Sequence, residues 1–285
     1  MFLKDQPFIV YRICQEIVLH LPLKFSYKLA SAISNVYRWL HKRDYFTIQK
    51  NLRIIFPDKS EREIIKYARE TFRNFAMHLV DFLYFPKLNR EYIKKNIKIE
   101  GVENFDSALL KKQGIVGITA HLGSWEIGGA IAALLGYPVN AIALEHSNRK
   151  VQDFFLRQRE EKGIKVIFPR DVARKTLAAL GRKEIVSFLN DKDYFGSGLE
   201  LSFFGRKTLI PRGAAVFALK TKSLVVPGFT VREAGWLKFV VEEPLSYKPS
   251  GNEKKDIKEI TQKIIAIIEK YIRRYPGQWY YFDEL

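Results

Sequence analysis

Three things are scarce in these 285 residues, and each scarcity closes off a class of protein. There is one cysteine, Cys14, so an intramolecular disulfide or a paired-cysteine zinc site is excluded. The lone thiol lies in an apolar stretch and reads as packing. No apolar run reaches the roughly 20 residues that a membrane-spanning helix needs. Residues 8–11 and 17–19 are apolar, but Arg12 and Glu16 interrupt them and Pro22 follows. The segment also lacks a small-residue cleavage site, which argues against a secretory signal. Acid is the third shortage. Against 48 Lys and Arg stand 31 Asp and Glu, leaving a net charge of +17, and such an excess draws polyanions: nucleic acid, anionic lipid headgroups or an acidic carrier protein. Several motifs are missing as well. No Gly-x-Ser-x-Gly elbow, Walker-type phosphate loop or Gly-x-Gly-x-x-Gly fingerprint occurs, which removes the usual serine hydrolase, P-loop and dinucleotide-binding readings.

What is present is a chain able to fold. Hydrophobic residues make up 47% and charged residues 28%, enough for a sizeable packed core. Residues 1–96 read as helical. Within them, residues 27–40 place Leu29, Ile33, Val36, Trp39 and Leu40 at helical spacing. A basic, aromatic, amphipathic helix of this kind suits the bilayer surface, and packing on the protein's own core is the alternative. Ser60 opens a helix that runs to just before Pro86. From residue 97 the rhythm changes to strand-length apolar runs at 97–99, 115–119, 139–143, 166–168, 185–189 and 224–229. Helical patterns fall between most of them, at 102–110, 125–135, 151–162, 172–180 and 214–221. That alternation predicts an α/β fold, a mainly parallel sheet flanked by helices, over residues 97–285, with residues 1–96 as a helical N-terminal extension. Residues 225–231 and 237–241 predict an antiparallel hairpin at a sheet edge, and residues 254–274 a long final helix.

The stretch from Gly117 to Gly129 carries the chemistry: a buried strand, then Ala120-His121-Leu122-Gly123-Ser124-Trp125-Glu126, then a helix. Open α/β sheets place ligands at the carboxyl ends of their strands. In one continuous helix, His121 and Glu126 would diverge by about 140°, so they converge only if His121 lies in the turn and Glu126 in the first helical turn. Gly123 permits the turn and Ser124 is a good N-cap. A neutral imidazole can take a hydroxyl proton near neutral pH, and a neighbouring carboxylate fixes its tautomer.

At these residues the sequence resembles the lysophospholipid acyltransferase superfamily, and more narrowly the bacterial lipid A biosynthesis (late, or secondary) acyltransferases. His121 through Glu126 is similar to that family's His-x₄-Asp/Glu block. The likeness continues in family order through Asn51 to Pro57, Arg159 with Gly163, Asp191-Lys192-Asp193-Tyr194, Phe203-Phe204-Gly205 and Pro276-Gly277-Gln278-Trp279. The resemblance implies transfer of a fatty acyl chain from an acyl carrier protein or coenzyme A thioester to a hydroxyl of a lipid-linked sugar, with no other cofactor and no metal. It implies His121 as general base and Glu126 as its orienting partner. Arg159, Asp191 and Asp193 border the substrate, with Arg159 on an anionic group or the reacting ester, and Asp191 alternatively paired with Arg159. It also implies a protein on the cytoplasmic face of the bacterial inner membrane. Arg12 and Glu16 break the family's usual N-terminal anchor, which favours surface attachment to anionic lipid. Phe203-Phe204-Gly205 reads as a core cluster with a turn, and residues 279–282 as a C-terminus packed on the domain or set at the bilayer interface. Glu145-His146 is similar to a second dyad that nothing extends. Rival readings are a lysophospholipid acyltransferase, a lipid esterase using water, and a non-catalytic lipid- or nucleic-acid-binding protein; no nucleic-acid reading element is present.

Overall fold

The computed structural model describes residues 2–285, with side chains from Pro7 onward; Met1 of the expected 1–96 region lies outside the described residues. Five helices come first: α1 (Phe2–His20), α2 (Leu23–Leu40), α3 (Lys42–Ile55), α4 (Glu61–Leu83) and α5 (Arg90–Asn96). Pro22 separates the first two. Ser60 starts α4 with a reciprocal capping box, in which Glu63 N donates to Ser60 Oγ and Ser60 N donates to Glu63 Oε2, satisfying two amide groups that an uncapped helix leaves bare.

The sheet follows. Its strands are β1 (Ile97–Glu100), β2 (Ile115–Thr119), β3 (Val139–Ile142), β4 (Lys165–Ile167), β5 (Ile185–Leu189), β8 (Leu224–Glu233) and β9 (Trp236–Val241), in the spatial order β1-β9-β8-β2-β5-β3-β4. Every pairing is parallel except β8 with β9. The predicted hairpin is therefore real, but not at an edge. β1 adds in parallel outside β9, so both hairpin strands lie inside the sheet. Two strands were not anticipated: β6 (Leu199–Phe203) and β7 (Arg206–Ile210) form a separate antiparallel pair, turning at Phe204-Gly205, both with positive φ.

Helices α6 (Glu103–Leu110), α7 (Trp125–Leu135), α8 (Arg149–Glu160), α9 (Val172–Gly181), α10 (Gly213–Thr221) and α11 (Glu253–Arg274) complete the chain. Alternation along β2 divides the core. Val116 and Ile118 face a cluster that includes Ala214 and Ala218 of α10 and Ile264 and Ile268 of α11. Ile115 faces another, with Ile127 and Ile131 of α7 and Val80, Phe82 and Leu83 of α4. The N-terminal helices and the sheet thus share one core. Among the described residues no helix is long and apolar enough to cross a membrane.

Candidate active site

The turn after β2 is built as its sequence requires. Gly123 has φ +65°, and a Cβ there would lie 2.0 Å from the Thr230 carbonyl oxygen, so only glycine fits. The turn is held from outside by backbone bonds. Gly123 N donates to Gln278 O at 2.8 Å, Ser124 N to Thr230 O at 2.7 Å, and Tyr280 N to His121 O at 2.8 Å. The C-terminal segment therefore packs on the domain and fixes the turn that carries His121, which gives the Pro276-to-Trp279 block a structural reason. Asn51 fixes that segment in turn, its Nδ2 donating to Asp283 O at 2.7 Å and its Oδ1 accepting from Leu285 N at 3.1 Å.

The carboxylate on His121 is Asp191, and the expected His121–Glu126 pairing gives way to it. Asp191 Oδ1 lies 2.9 Å from His121 Nδ1, while Oδ2 accepts from His121 N at 3.1 Å and from Trp279 Nε1 at 2.9 Å. The reason is register. β2 and β5 run parallel with Thr119 opposite Leu189, so the residues two beyond each strand end, His121 and Asp191, emerge side by side. Asp191 is fully buried. Burial pushes its carboxyl up, but the positive charge that His121 can carry and the donors around it outweigh burial and hold it below the ordinary range. The network assigns the proton of the neutral imidazole to Nδ1. Nε2 is left as the acceptor, 3.5 Å from the Tyr194 hydroxyl. Desolvation and the nearby Asp191 push the Tyr194 phenol up to about 12, so it stays protonated beside His121.

Glu126 holds Arg159 instead. Arg159 Nε donates to Oε2 at 3.0 Å and Nη2 to Oε1 at 2.6 Å, a bidentate pair with side chains 10% and 16% exposed. Burial works against the charge of both groups, and their mutual attraction wins: Glu126 is lowered and Arg159 raised. Arg159 is accordingly not on a solvated helix face, and it does not pair with Asp191. Asp193 caps a turn, accepting from Phe195 N at 3.1 Å and Gly198 N at 2.8 Å, while still lining the cavity described below. Glu145 and His146 form no dyad: Glu145 pairs with Arg170, and burial depresses His146.

Sequence reasoning missed a buried group on α4. Ser124 sits at the N-cap of α7, but its hydroxyl makes no capping bond and donates to Asp81 Oδ2 at 2.7 Å. Asp81 also accepts from Tyr27 and from Arg232, each at 2.5 Å. Beside it, His78 stacks on Trp125 at 3.9 Å, and Trp125 meets His121 edge-on at 5.3 Å. Nothing local in sequence links residues 78 and 81 to residue 124; the helical spacing that puts His78 and Asp81 on one face was the available signal. Desolvation lowers His78 to about 4, against about 6.5 in an unfolded chain. The unfolded state therefore binds the extra proton between those values, and stability falls as pH drops from about 6.5 to 4, by about 3 kcal/mol in total. We expect His78→Phe to keep the stack on Trp125 and to flatten this part of the stability profile, measured by urea titration at pH 7 and pH 5. An unchanged pH dependence would exclude His78 as its source.

His121, Glu126, Arg159, Asp193 and Tyr194 open onto one cavity of about 850 Å³. It continues along the α7 face of the sheet past Gly117, Ser187 and Ala132, and its deeper walls are apolar. Among the described residues no cluster of His, Cys, Asp and Glu could hold a metal ion. An imidazole with a fixed tautomer, an ionised guanidinium and an apolar channel together suit removal of a proton from an alcohol and transfer of a hydrocarbon-bearing acyl group.

Comparison with known proteins points to acyl transfer. Residues 5–285 match the family described as bacterial lipid A biosynthesis acyltransferase. The chain is similar to the lipid A biosynthesis palmitoleoyltransferase of Escherichia coli K12, 27% identical over 268 residues, covering 92% of this chain and 84% of that protein. It is also similar to the phosphatidylinositol mannoside acyltransferase of Mycobacterium tuberculosis H37Rv, 24% identical over 221 residues, 75% of this chain and 65% of the relative. The E. coli K12 lipid A biosynthesis lauroyltransferase is 24% identical over 181 residues, 62% and 58% of the two chains. With a match across nearly its whole length, this chain belongs to the bacterial lipid A biosynthesis acyltransferase family and is an O-acyltransferase.

Proposed function

We propose that the enzyme moves a fatty acyl group from a thioester, carried by acyl carrier protein or coenzyme A, to a hydroxyl of a lipid-linked sugar, lipid A or a related glycolipid. The observation that carries this reading is His121 Nε2, free to accept while Nδ1 is bound to buried Asp191 at 2.9 Å, facing the cavity it shares with Arg159. The relatives' names refer to lipid A biosynthesis and to phosphatidylinositol mannoside, and both lipids are lipid-linked sugars. The acceptor O–H proton passes to Nε2 as its oxygen bonds to the thioester carbonyl carbon. Asp191 stabilises the imidazolium, and Arg159 supports the developing oxyanion. Collapse breaks the C–S bond, and the imidazolium returns the proton to the leaving thiolate. Ester and free thiol are the products, and the balance needs no cofactor besides the thioester. His121→Ala should lower turnover by at least about 100-fold with folding intact. The assay is acyl transfer from a radiolabelled thioester to glycolipid, with free fatty acid measured in parallel. A folded variant at full activity excludes His121 as base, and free fatty acid as the main wild-type product would make the protein an esterase.

The same proposal places the enzyme on a membrane surface, at the cytoplasmic face of the bacterial inner membrane. Ile9, Val10, Ile13 and Ile17 of α1 are exposed on one helical face, and Phe25, Leu29, Ile33, Val36 and Leu40 of α2 on another, several of them more than half exposed. Apolar side chains in water beside a +17 charge suit attachment to anionic bilayers. We expect sedimentation with phosphatidylglycerol-containing vesicles that weakens as salt rises, and a loss of at least about tenfold in Ile33→Ser/Val36→Ser, since each substitution removes roughly 1–2 kcal/mol of apolar transfer. Equal sedimentation of the variant would remove α2 from the membrane contact.

A further inference from the structure

A second cavity, of about 890 Å³, lies between α2, α4 and the β8–β9 turn. Its lining shares no residue with the catalytic cavity, and the buried Asp81 and Ser124 lie between the two. Four cations line it: Lys28 from α2, Arg73 from α4, Arg232 from β8 and Arg274 at the end of α11. Among the described residues, Glu70 is the sole carboxylate in its wall.

The cations differ in how they are held. Arg232 is fixed from behind, with Nη2 2.5 Å from Asp81 Oδ2, its guanidinium carbon 4.5 Å over the Tyr27 ring, and only 13% of its side chain exposed. A guanidinium locked this way loses little further freedom on binding an anion, and its partial burial strengthens the attraction. Arg274 is anchored by Glu233 at 3.1 Å. Arg73 stands 3.9 Å from Glu70, beyond hydrogen-bond reach. No carboxylate among the described residues is paired with Lys28. Against these four cations stand Asp81, Glu233 and Glu70, so the cleft keeps one net positive charge, and among the described residues neither Lys28 nor Arg73 has a carboxylate within hydrogen-bond distance, which leaves their donors open to a phosphate.

Position names the source of the phosphate. Lys28 and Ala32 line the cleft, while Leu29, Ile33 and Val36, their neighbours around the helix, form the exposed apolar face of α2. At 100° per residue, Ala32 and Val36 are about 40° apart. The mouth of the cleft therefore opens at the rim of the apolar face of α2. We propose that this cleft is a second lipid site, which takes the phosphate headgroup of an anionic phospholipid and leaves its chains in the bilayer. This inference rests on α2 as a membrane-facing helix. A headgroup held there clamps α2 to the β8–β9 turn and sets the tilt at which the catalytic cavity meets the membrane.

The test uses dihexanoyl phosphatidylglycerol below its micelle concentration, titrated into the full chain by calorimetry, so that bilayer attachment does not contribute. Saturable 1:1 binding is expected, retained in His121→Ala and weakened at least about tenfold in Lys28→Glu/Arg73→Glu, in line with loss of charge-assisted contacts. A charge-matched control, Lys94→Glu/Lys98→Glu, alters exposed residues outside both cavities and should bind like wild type. Should the first double variant lose its helical circular dichroism, Lys28→Ala alone takes its place, with a severalfold loss expected. Equal weakening in both double variants would overturn the site in favour of diffuse charge. Equal binding of dihexanoyl phosphatidylcholine, or displacement by inorganic phosphate at the same concentration, would overturn the anionic-lipid assignment. Vesicle sedimentation of Ile33→Ser/Val36→Ser separately decides the membrane reading, and monomer binding that survives in that variant supports the site.

Discussion

Replacing Asp191 by Asn is expected to lower turnover by about 10³- to 10⁴-fold at neutral pH, the scale seen where an aspartate fixes the tautomer of a catalytic histidine. The loss should fall on kcat with KM nearly unchanged. In the proposed mechanism Asp191 acts as a positioning residue, and it receives three donors, His121 Nδ1, His121 N and Trp279 Nε1. Asn can keep its carbonyl oxygen on the two backbone and indole N–H groups. Its amide then points at Nδ1 as a donor, and the imidazole must answer with the other tautomer. Nε2 then carries the proton and cannot accept one from the acceptor hydroxyl. The fold should survive, because the volume is unchanged and two of the three bonds remain. Asp193→Asn is the control, since Asp193 bonds only turn amides and should cost no more than a few fold. An Asp191→Asn enzyme within tenfold of wild type would show that the tautomer is set by something else.

The second large effect belongs to the Glu126–Arg159 pair and should appear first as lost stability. Glu126→Ala leaves the Arg159 guanidinium buried without its carboxylate, and breaking such a pair from one side costs about 3–5 kcal/mol. The double variant Glu126→Leu/Arg159→Met removes both charges and should regain most of that loss, because a buried ion pair is often no better than apolar packing of similar volume. Activity separates the roles. In the proposed mechanism the stable double variant remains inactive, since Arg159 no longer faces the oxyanion. Chemical denaturation and a transfer assay on the same preparations measure both. A double variant that is stable and active would reduce the pair to scaffolding and pass oxyanion support to backbone amides.

These two pairs also mark the limit of what the chain's order of residues conveys. Strand β2, strand β5 and helix α7 are legible to the residue, because short buried strands and a longer apolar run bounded by Ser124 and Gly136 carry their signals locally. His121 is legible for the same reason, as the residue just past a buried strand. Its partner is not. The distance of five positions favours Glu126, whereas parallel register puts Asp191, seventy positions away, at the same height. Parallel neighbours are joined by long crossovers, so nothing local announces which strand end sits beside which. The β8–β9 hairpin shows the same limit: its pairing follows from a short turn, but β1, which closes over it from far upstream, does not. The β6–β7 pair is different. Leu199-Glu200-Leu201-Ser202-Phe203 alternates strictly in burial, so the period was there to be read and five residues proved too few to stand out. Exposure on α2 belongs to a third kind, since an apolar stripe looks alike whether it meets a core or a membrane.

The stitching of the catalytic turn has a consequence for how the enzyme is born. His121, Gly123 and Ser124 are held by Tyr280, Gln278 and Thr230, and Asp191 by Trp279. On a ribosome His121 is therefore made early and its setting stays unassembled until more than 150 further residues have emerged. Under the proposed mechanism, a nascent chain resting on the bilayer by its first helices would carry no competent base, and would not squander thioester while its remaining strands are still being added.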